Sequence, residues 1–415
     1  MSGTIIRCSM GAWLLAMTVG LSSVARAADS DESDRKRLLE LNLAIDDNVM
    51  NAEVQTLLKD KPKLPKLFQL AKQMDRAKES PFSFHANVVL AFTADAVKDF
   101  EAAEYFYRKA LTQSKLLKST PKQALVYRAL IDTLFDAKKY EATADLCQEF
   151  MDLPNELLAR LKPAVLERQV RALTLSGSGE EALKLLDSLA EGETDGWFFL
   201  QLRSWVLRET GALREAADTY RLILQRIDRS ELEEDRKQSA AEPIRYGLSA
   251  VYVDLNQIDK AAEQLQILLK QKPNDPTFNN DLGYIWADHD MNLDESERLV
   301  RKAIEEDRKQ REQLKARAPG MELTENAAYL DSLGWVLFKK KNYAEAKKVL
   351  MRAVALPEGQ NVEIMDHLAE VLLAMGDKAA AVETLEKSLK TDITTKRDQK
   401  KAEIIREKLK KLKSE

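Results

Sequence analysis

The stretch LDSLGWVLFKKKNYAEA, residues 330–346, contains two apolar runs separated by three consecutive lysines, with a glycine in the middle of the first run. Apolar residues at helical spacing on both sides of the break predict a helix, a turn and a second helix. A glycine inside a helix costs about 1 kcal/mol relative to alanine. Gly334 therefore predicts that a second helix passes so close that a side chain has no room.

This pattern recurs along the chain as a small residue followed four and seven places later by apolar or small residues. Its eight centres are Ala103, Thr143, Ala182, Ala216, Ala261, Ser296, Ala346 and Ala381, at intervals of 40, 39, 34, 45, 35, 50 and 35 residues. About twelve places before most centres, an upstream apolar segment carries its own small residue, as Gly334 does for Ala346. A fixed unit of two helices with variable inserts fits these intervals better than a single globular core.

These residues resemble the tetratricopeptide repeat, a helix-turn-helix unit of 34 residues. The signature positions of that family correspond here to Leu333, Gly334, Leu337, Tyr343, Ala346, Leu350 and Ala353. The resemblance covers residues 80–392 and is strongest after 196. It implies an all-α fold, a right-handed superhelical solenoid of helix pairs whose concave groove binds peptides or protein segments.

The remaining sequence suggests five segments along the chain. They are a signal peptide at 1–27, a helical capping or linker segment at 28–79, divergent repeats at 80–195, clearer repeats with two charged helical inserts at 196–392, and a basic amphipathic capping helix at 393–415. The inserts, 228–242 and 305–323, are expected to lengthen the second helices of their units and to end at Pro243 and Pro319. A terminal repeat exposes an apolar side, so a covering helix is expected there. The alternative for its basic face is contact with acidic lipid or a partner.

The amino terminus predicts export. Arg7 is followed by an uncharged apolar stretch, and the sequence Ala25-Arg26-Ala27 forms a cleavage site that would leave Ala28 as the first mature residue. We therefore expect a periplasmic or extracellular protein of the cell envelope. The alternative is a retained membrane anchor, because the 18 residues between the two arginines carry no charge.

Charge and cysteine content exclude several classes of function. The formal net charge is −4, and it becomes −6 once Arg7 and Arg26 are removed with the signal. An acidic chain is a poor general ligand for nucleic acid or anionic lipid. Cys147 would be the only cysteine left, so no intramolecular disulfide can form, and its packing position predicts a buried thiol rather than a nucleophile.

No motif indicates catalysis, a cofactor or a metal. The three histidines lack partners at metal-ligand spacing. The segment DHDMNLDESERL, residues 288–299, alternates acidic residues as a calcium loop does, but Leu293 and Leu299 stand where glycine and a bidentate glutamate are required. We predict a protein that is not an enzyme. The one enzymatic alternative is a polymer-modifying enzyme that uses Asp331 and Asp366 as its carboxylate pair.

Specificity is therefore expected in the groove, which the resemblance assigns to the first helix of each unit. The groove-facing candidates, counted from the signature leucines, are Trp205, Tyr246, Asn280, Tyr284, Asp331, Trp335, Phe338 and Asp366. Family members that hold the terminal carboxylate of chaperone tails use Lys, Asn and Arg at these positions, so that ligand is not expected.

Aromatic residues with polar neighbours suit a protein segment, because Tyr and Trp bury large areas and Asn280 can bond to a backbone. The alternative for each aromatic residue is packing against the next unit. The overall prediction is a scaffold or assembly factor that binds protein partners, and the alternative is a membrane-tethered structural component.

Overall fold

A computed structural model describes residues 32–43, 50–77, 82–153, 156–190, 197–317, 323–391, 393 and 396–414. Throughout these ranges all regular secondary structure is helical, and none of the residues in them forms a strand. The all-α prediction is confirmed, whereas the handedness of the superhelix stays a prediction. The chain divides into two compact units, Met1–Glu193 and Thr194–Glu415. The predicted signal residues Ala25, Ala27 and Ala28 lie outside the described residues.

The first unit consists of three helices followed by three helix pairs. Its helices are α1 (32–43), α2 (Met50–Leu57), α3 (Leu64–Arg76), α4 (Phe84–Ala96), α5 (Phe100–Leu116), α6 (Thr120–Asp136), α7 (Tyr140–Met151), α8 (Lys162–Leu175) and α9 (Gly179–Ala190). A short 3₁₀ helix, Leu58–Lys63, interrupts the chain around Pro62, because a proline disrupts a helix interior. One apolar core runs from α1 into α8.

The second unit consists of five helix pairs and a final single helix. Its helices are α10 (Trp197–Glu209), α11 (Leu213–Arg229), α12 (Glu234–Asp254), α13 (Ile258–Gln271), α14 (Pro276–Asp288), α15 (Leu293–Arg317), α16 (Ala327–Lys339), α17 (Tyr343–Ala355), α18 (Val362–Ala374), α19 (Lys378–Ser388) and α20 (Lys396–Ser414). In every pair the first helix contacts the second, and α16 and α18 also contact the first helix before them.

The turn inside each pair repeats one backbone conformation. Seven of the eight centres have a residue with positive φ five places upstream: Lys98, Lys138, Gly177, Gly211, Asn256, Lys341 and Gly376. In the opening stretch, the amide of Lys341 donates to the Phe338 carbonyl and that of Asn342 to the Leu337 carbonyl. This is the Schellman end of a helix. Its recurrence confirms the register of the repeats, including the loosely matching unit around Thr143.

Close packing inside the pairs explains the small residues of the first helices. A Cβ on Gly334 would lie 2.4 Å from Leu350 Cγ, on the second helix of the pair. A Cβ on Gly283 would lie 2.8 Å from the backbone oxygen of Ser296. The Ser249 hydroxyl donates to the Ala261 carbonyl at 2.9 Å. The missing side chain thus makes room for a neighbouring helix, although Gly334 meets Leu350 rather than Ala346.

The two charged inserts differ in how they are accommodated. The second lengthens α15 to 25 residues, as expected, and Pro319 lies outside the described residues. The expectation for the first insert is wrong. Helix α11 ends at Arg229, and α12 then starts at Glu234 and continues through Pro243 to Asp254. Most of the insert therefore extends the next first helix, because the extended backbone at Ser230 ends α11 only two residues into the insert.

Helix α20 covers the last pair. It contacts α18 and α19, and Ala402, Ile405 and Leu409 are buried there. This burial removes the apolar side of the last repeat from water. Across the described ranges, none of the helices combines the length and the apolar character needed to cross a membrane.

Candidate functional site

The predicted groove residues of the second unit lie on α10, α12, α14, α16 and α18. We call the face formed by the last four of these helices the first-helix surface. Its helices are joined by side-chain bonds from one repeat to the next, so many predicted partner-binding residues already have a partner within the chain. Three groups of contacts follow one another along this surface.

The central group is an aromatic cluster, defined as Tyr284, Trp335, Phe338 and His367. The Trp335 ring stacks on the His367 ring with centroids 4.2 Å apart and on the Phe338 ring at 5.0 Å. The Tyr284 ring lies 6.3 Å from the His367 ring. Because His367 belongs to α18 and the others to α14 and α16, the cluster joins three consecutive repeats.

Hydrogen bonds fix the orientation of this cluster. His367 donates from Nδ1 to the Asp331 carboxylate, whose two oxygens lie 2.9 and 3.0 Å away, and both residues are buried. Trp335 donates from Nε1 to Asp288 Oδ1 at 2.9 Å. Lys339 donates to the Asp288 carbonyl at 3.1 Å. Trp335 and Phe338 nevertheless remain half-exposed, so part of each fixed side chain is open to solvent.

The second group is the tyrosine recess, defined as Tyr246, Asn280, Asp281 and Tyr329. Tyr246 donates to Asp281 Oδ2 at 2.8 Å, and Asn280 donates from Nδ2 to Asp281 Oδ1 at 3.1 Å. The Tyr329 hydroxyl lies 3.1 Å from the Thr277 hydroxyl. Burial raises the pKa of Asp281, and the hydrogen bonds from Tyr246 and Asn280 only partly offset this.

The third group lies where α20 covers α18. Asp366 is 3% exposed and pairs with Lys401 at 2.7 Å and with Lys408. Lys408 also pairs with Glu370. Although burial acts to raise the pKa of Asp366, the two lysines outweigh it and hold that pKa below its usual value. This predicted groove residue is thus covered by the chain's own last helix.

Trp205 lies apart from these three groups. It is half-buried on α10, which reaches α12 through an ion pair of 2.7 Å between Arg208 and Asp254. The structure therefore brings Tyr284, Asp331, Trp335 and Phe338 together, whereas Tyr246 and Asn280 belong to the tyrosine recess.

Sequence reasoning missed several residues of this site, including Asp281 of the tyrosine recess. His367 was considered only as a metal ligand and set aside, yet it bonds to Asp331 and its ring stacks on that of Trp335. Tyr329 was not singled out, although an aromatic residue two places before Asp331 was a usable signal. Lys401 and Lys408 could not be assigned to Asp366, because their spacing of seven residues shows only that they share a helix face.

The first unit holds a cavity of about 350 Å³ lined by α6, α7 and α8. Its floor is apolar and its rim includes Arg128, Arg168 and Arg171. Arg168 is already paired with Asp132 at 2.6 Å, and Arg171 is paired with Glu167 at 2.9 Å. Cys147 is buried in the same unit, and burial raises the pKa of its thiol to about 12, which disfavours the reactive thiolate.

The described residues offer little support for catalysis or metal chemistry. Within them, no group of three or more His, Cys, Asp or Glu side chains is arranged to hold a metal ion. The carboxylates of Asp331 and Asp366, the pair weighed for an enzyme, are both buried and bind different partners, His367 for the first and the α20 lysines for the second.

Comparison with known proteins identifies the repeats of the second unit. A family model described as tetratricopeptide repeat matches residues 246–311, and a second model of the same description matches 327–359 and 362–392. No curated protein matches the sequence.

The solved structures to which the chain is similar include a hetero-tetramer and a tetratricopeptide repeat protein. A crystal structure of the APC/C hetero-tetramer Cut9-Hcn1 is 14% identical with a TM-score of 0.44, and the match covers 83% of this chain and 60% of that one. A tetratricopeptide repeat protein from Parabacteroides merdae is 15% identical with a TM-score of 0.41, covering 78% of this chain and 98% of that one. Because both TM-scores are below 0.5, the assignment rests on the family models. The likeness to the tetratricopeptide repeat is therefore established for residues 246–311, 327–359 and 362–392.

Proposed function

We propose that this chain is a non-enzymatic scaffold or assembly factor of the cell envelope that binds segments of other proteins on the first-helix surface. One observation carries the proposal: aromatic side chains on this surface stay partly exposed although hydrogen bonds and stacking hold them in place. Rigid, half-exposed aromatic residues bind a partner at low entropic cost and bury a large area.

The chemistry of the surface favours a protein segment over a small molecule. Trp335, Phe338 and Tyr284 supply apolar contact, whereas the predicted backbone contact of Asn280 is not available in this structure, because its amide is 6% exposed and bonded to Asp281. Each repeat adds similar residues along the surface, which suits a ligand that is itself a chain. The polar bonds to Asp288 and Asp331 position the rings before the ligand arrives, and this preorganisation reduces the cost of binding.

The test compares capture by wild-type protein with capture by the double variant Trp335→Ala and Tyr284→Ala. Envelope proteins retained by the wild type should be lost from the double variant, while circular dichroism shows unchanged helicity. Met351→Ala is the matched control, because Met351 is a large exposed apolar residue on α17, the second helix of the same pair. Identical sets of retained proteins for all three baits would contradict the assignment of the binding surface.

Localisation is tested separately, by the mass of the mature amino terminus. A chain that starts at Ala28 supports export and release, whereas a chain that starts at Met1 or Ser2 supports the membrane-tethered alternative. That alternative also requires the basic face of α20 to approach a bilayer. Lys401, Lys408 and Lys413 are instead paired with acidic residues of α18 and α19, which reduces the charge available for lipid.

A further inference from the structure

We propose that the tyrosine recess receives a lysine or arginine side chain of the bound segment, so that partners of this protein are basic where they cross α14. This inference rests on the proposed function, because it names the kind of segment that the first-helix surface takes. The ligand chemistry is a single cationic group held by the Asp281 carboxylate and flanked by tyrosine rings.

The recess has the acceptors that a cation needs. The Asp281 carboxylate keeps acceptor capacity beyond its bonds from Tyr246 and Asn280, since two oxygens offer about four lone-pair positions. The Asn280 side chain is only 6% exposed, and its Oδ1 is buried without a hydrogen-bond partner among the described residues. Its Nδ2 is bonded to Asp281, which holds the amide against the carboxylate. A buried acceptor without a donor is unfavourable, and a rotation of this amide that accompanied the entry of an ammonium or guanidinium group would supply one.

The charge that acts on Asp281 from its surroundings is acidic. The neighbouring charge that acts on its pKa is Asp275, which raises it further. Burial is the main reason that the pKa of Tyr329 is raised, and the charges of Asp281, Asp307 and Asp275 add to it. No basic side chain of the described residues forms an ion pair with Asp281. A partly buried carboxylate without a counter-charge is unfavourable, and a partner's cation would remove that penalty.

The two tyrosines add a second attraction for a cation. The Tyr246 side chain is 39% exposed, so part of its ring is available to a ligand. Its hydroxyl bond to Asp281 and its ring contact with Phe278, at 5.7 Å, hold the ring at the edge of the recess. A cation over an aromatic face is attracted by the negative charge density of the ring. Uncharged ligand groups would lack both this attraction and the ion pair.

The same surface contains a second aspartate that is already paired with cations. On α18, Asp366 is satisfied by Lys401 and Lys408, which the chain supplies from α20. On α14, Asp281 has no such partner. A basic side chain of a segment that crosses α14 would form an ion pair with Asp281, as the α20 lysines do with Asp366. We therefore commit to a basic segment of another protein as the occupant.

The test selects random displayed peptides on the full-length protein and measures their affinities for four forms: wild type, Asp281→Asn, Glu263→Gln, and the Trp335→Ala, Tyr284→Ala double variant. Glu263 is exposed on α13, which is not one of the helices of the first-helix surface. Glu263→Gln therefore removes one negative charge outside that surface and serves as the matched control. We expect the selected peptides to share a Lys or Arg at a fixed position. Asp281→Asn should weaken them at least ten-fold and Glu263→Gln less than two-fold.

Substituting norleucine for the shared basic residue should weaken binding to wild type to a similar extent, and this arm does not depend on how a variant folds. If peptides depend on Trp335 and Tyr284 but share no basic residue, or bind Asp281→Asn within two-fold, the inference is overturned and the proposed function stands. If no selected peptide depends on Trp335 and Tyr284, both fail.

Discussion

Two aspartates on first helices of the same repeat array have opposite electrostatic states. Asp366 on α18 is buried, is paired with two lysines and has a lowered pKa. Asp281 on α14 is half-buried, receives hydrogen bonds from neutral groups only and has a raised pKa. The charged form of Asp366 stabilises the fold. The charged form of Asp281 destabilises it, because the burial of its charge is not compensated.

The difference shows at which aspartate the chain supplies its own counter-charge and at which it does not. Helix α20 supplies both the apolar contacts and the lysines that α18 needs, so the end of the array is closed. The α14 region has the same kind of acidic residue together with partly exposed aromatic rings, but no lysine or arginine of the described residues pairs with Asp281. Partner binding is therefore expected at α14 and α16 rather than at α18.

The largest effect is expected from Asp366→Asn. This substitution removes the negative charge that Lys401 and Lys408 share, and it should lower the free energy of unfolding by about 1–2 kcal/mol, less than for a fully buried ion pair because both lysines are partly exposed. Urea denaturation measures the change, and hydrogen exchange of residues 396–414 should become faster as α20 loosens.

The pair of Lys413 with Glu386 provides the control for this prediction. Both side chains are about half exposed, so Lys413→Ala should change stability by less than about 0.5 kcal/mol. If hydrogen exchange in α20 of the Asp366→Asn variant is unchanged, apolar contacts alone hold the helix. The contrast drawn between Asp366 and Asp281 would then be contradicted.

A smaller effect is expected from Gly334→Ala, which tests the close packing that sets the spacing of α16. Alanine favours a helix by about 1 kcal/mol, but its Cβ would overlap Leu350, and overpacking costs about 1–3 kcal/mol. The net result should be a loss of about 1 kcal/mol in urea denaturation. Adding Leu350→Val should recover part of it, and strict additivity of the two changes would rule out the contact as the cause.

Asp281→Asn should have the opposite sign from Asp366→Asn. The amide keeps an acceptor for Tyr246 and removes a charge whose burial nothing compensates, so stability should rise by about 0.5 kcal/mol. The midpoint of thermal unfolding measures the gain. A loss of stability comparable with that of Asp366→Asn would show that Asp281 has a counter-charge after all.

The dependence of these differences on pH sharpens the same contrast. Because the folded-state pKa of Asp366 is lowered, its contribution is complete above the ordinary aspartate pKa of about 3.9 and is lost as pH falls towards the folded value. Because the pKa of Asp281 is raised, folded protein takes up a proton first as pH falls, and its penalty disappears.

In urea denaturation at several pH values, the deficit of Asp366→Asn relative to wild type should therefore shrink only below about pH 4. The stability gain of Asp281→Asn should begin to shrink at a higher pH than this, because the raised pKa of Asp281 lets the folded wild type take up its proton earlier as the pH falls. Equal pH dependences for the two variants would contradict the assigned charge states.

The sequence predicts the repeats well because they depend on local rules. The small residue of seven of the eight centres lies five places after a left-handed turn residue, and turn chemistry and helix packing are both readable from residue types. The first insert was misplaced because the end of α11 at Ser230 carries no glycine or proline as a signal, and Pro243 was taken as a stop.

The site was predicted less completely because its contacts join residues far apart in the chain. That Trp335, Phe338, Tyr284 and Asp331 belong to one surface followed from their places on first helices. That His367 bonds to Asp331, and that α20 lysines cover Asp366, depends on the rotation of each helix against the next. That rotation is set by packing across repeats and cannot be deduced from one repeat alone.

The most direct test of the central claim is a double-mutant cycle between Asp281 and the shared basic residue of a selected peptide. Calorimetry would measure the affinity of the Lys or Arg peptide and of its norleucine counterpart for wild type and for Asp281→Asn. A direct ion pair predicts a coupling of at least about 1 kcal/mol, because removing either partner removes most of what the other contributes. Additive effects of the two changes would contradict a cation bound at Asp281.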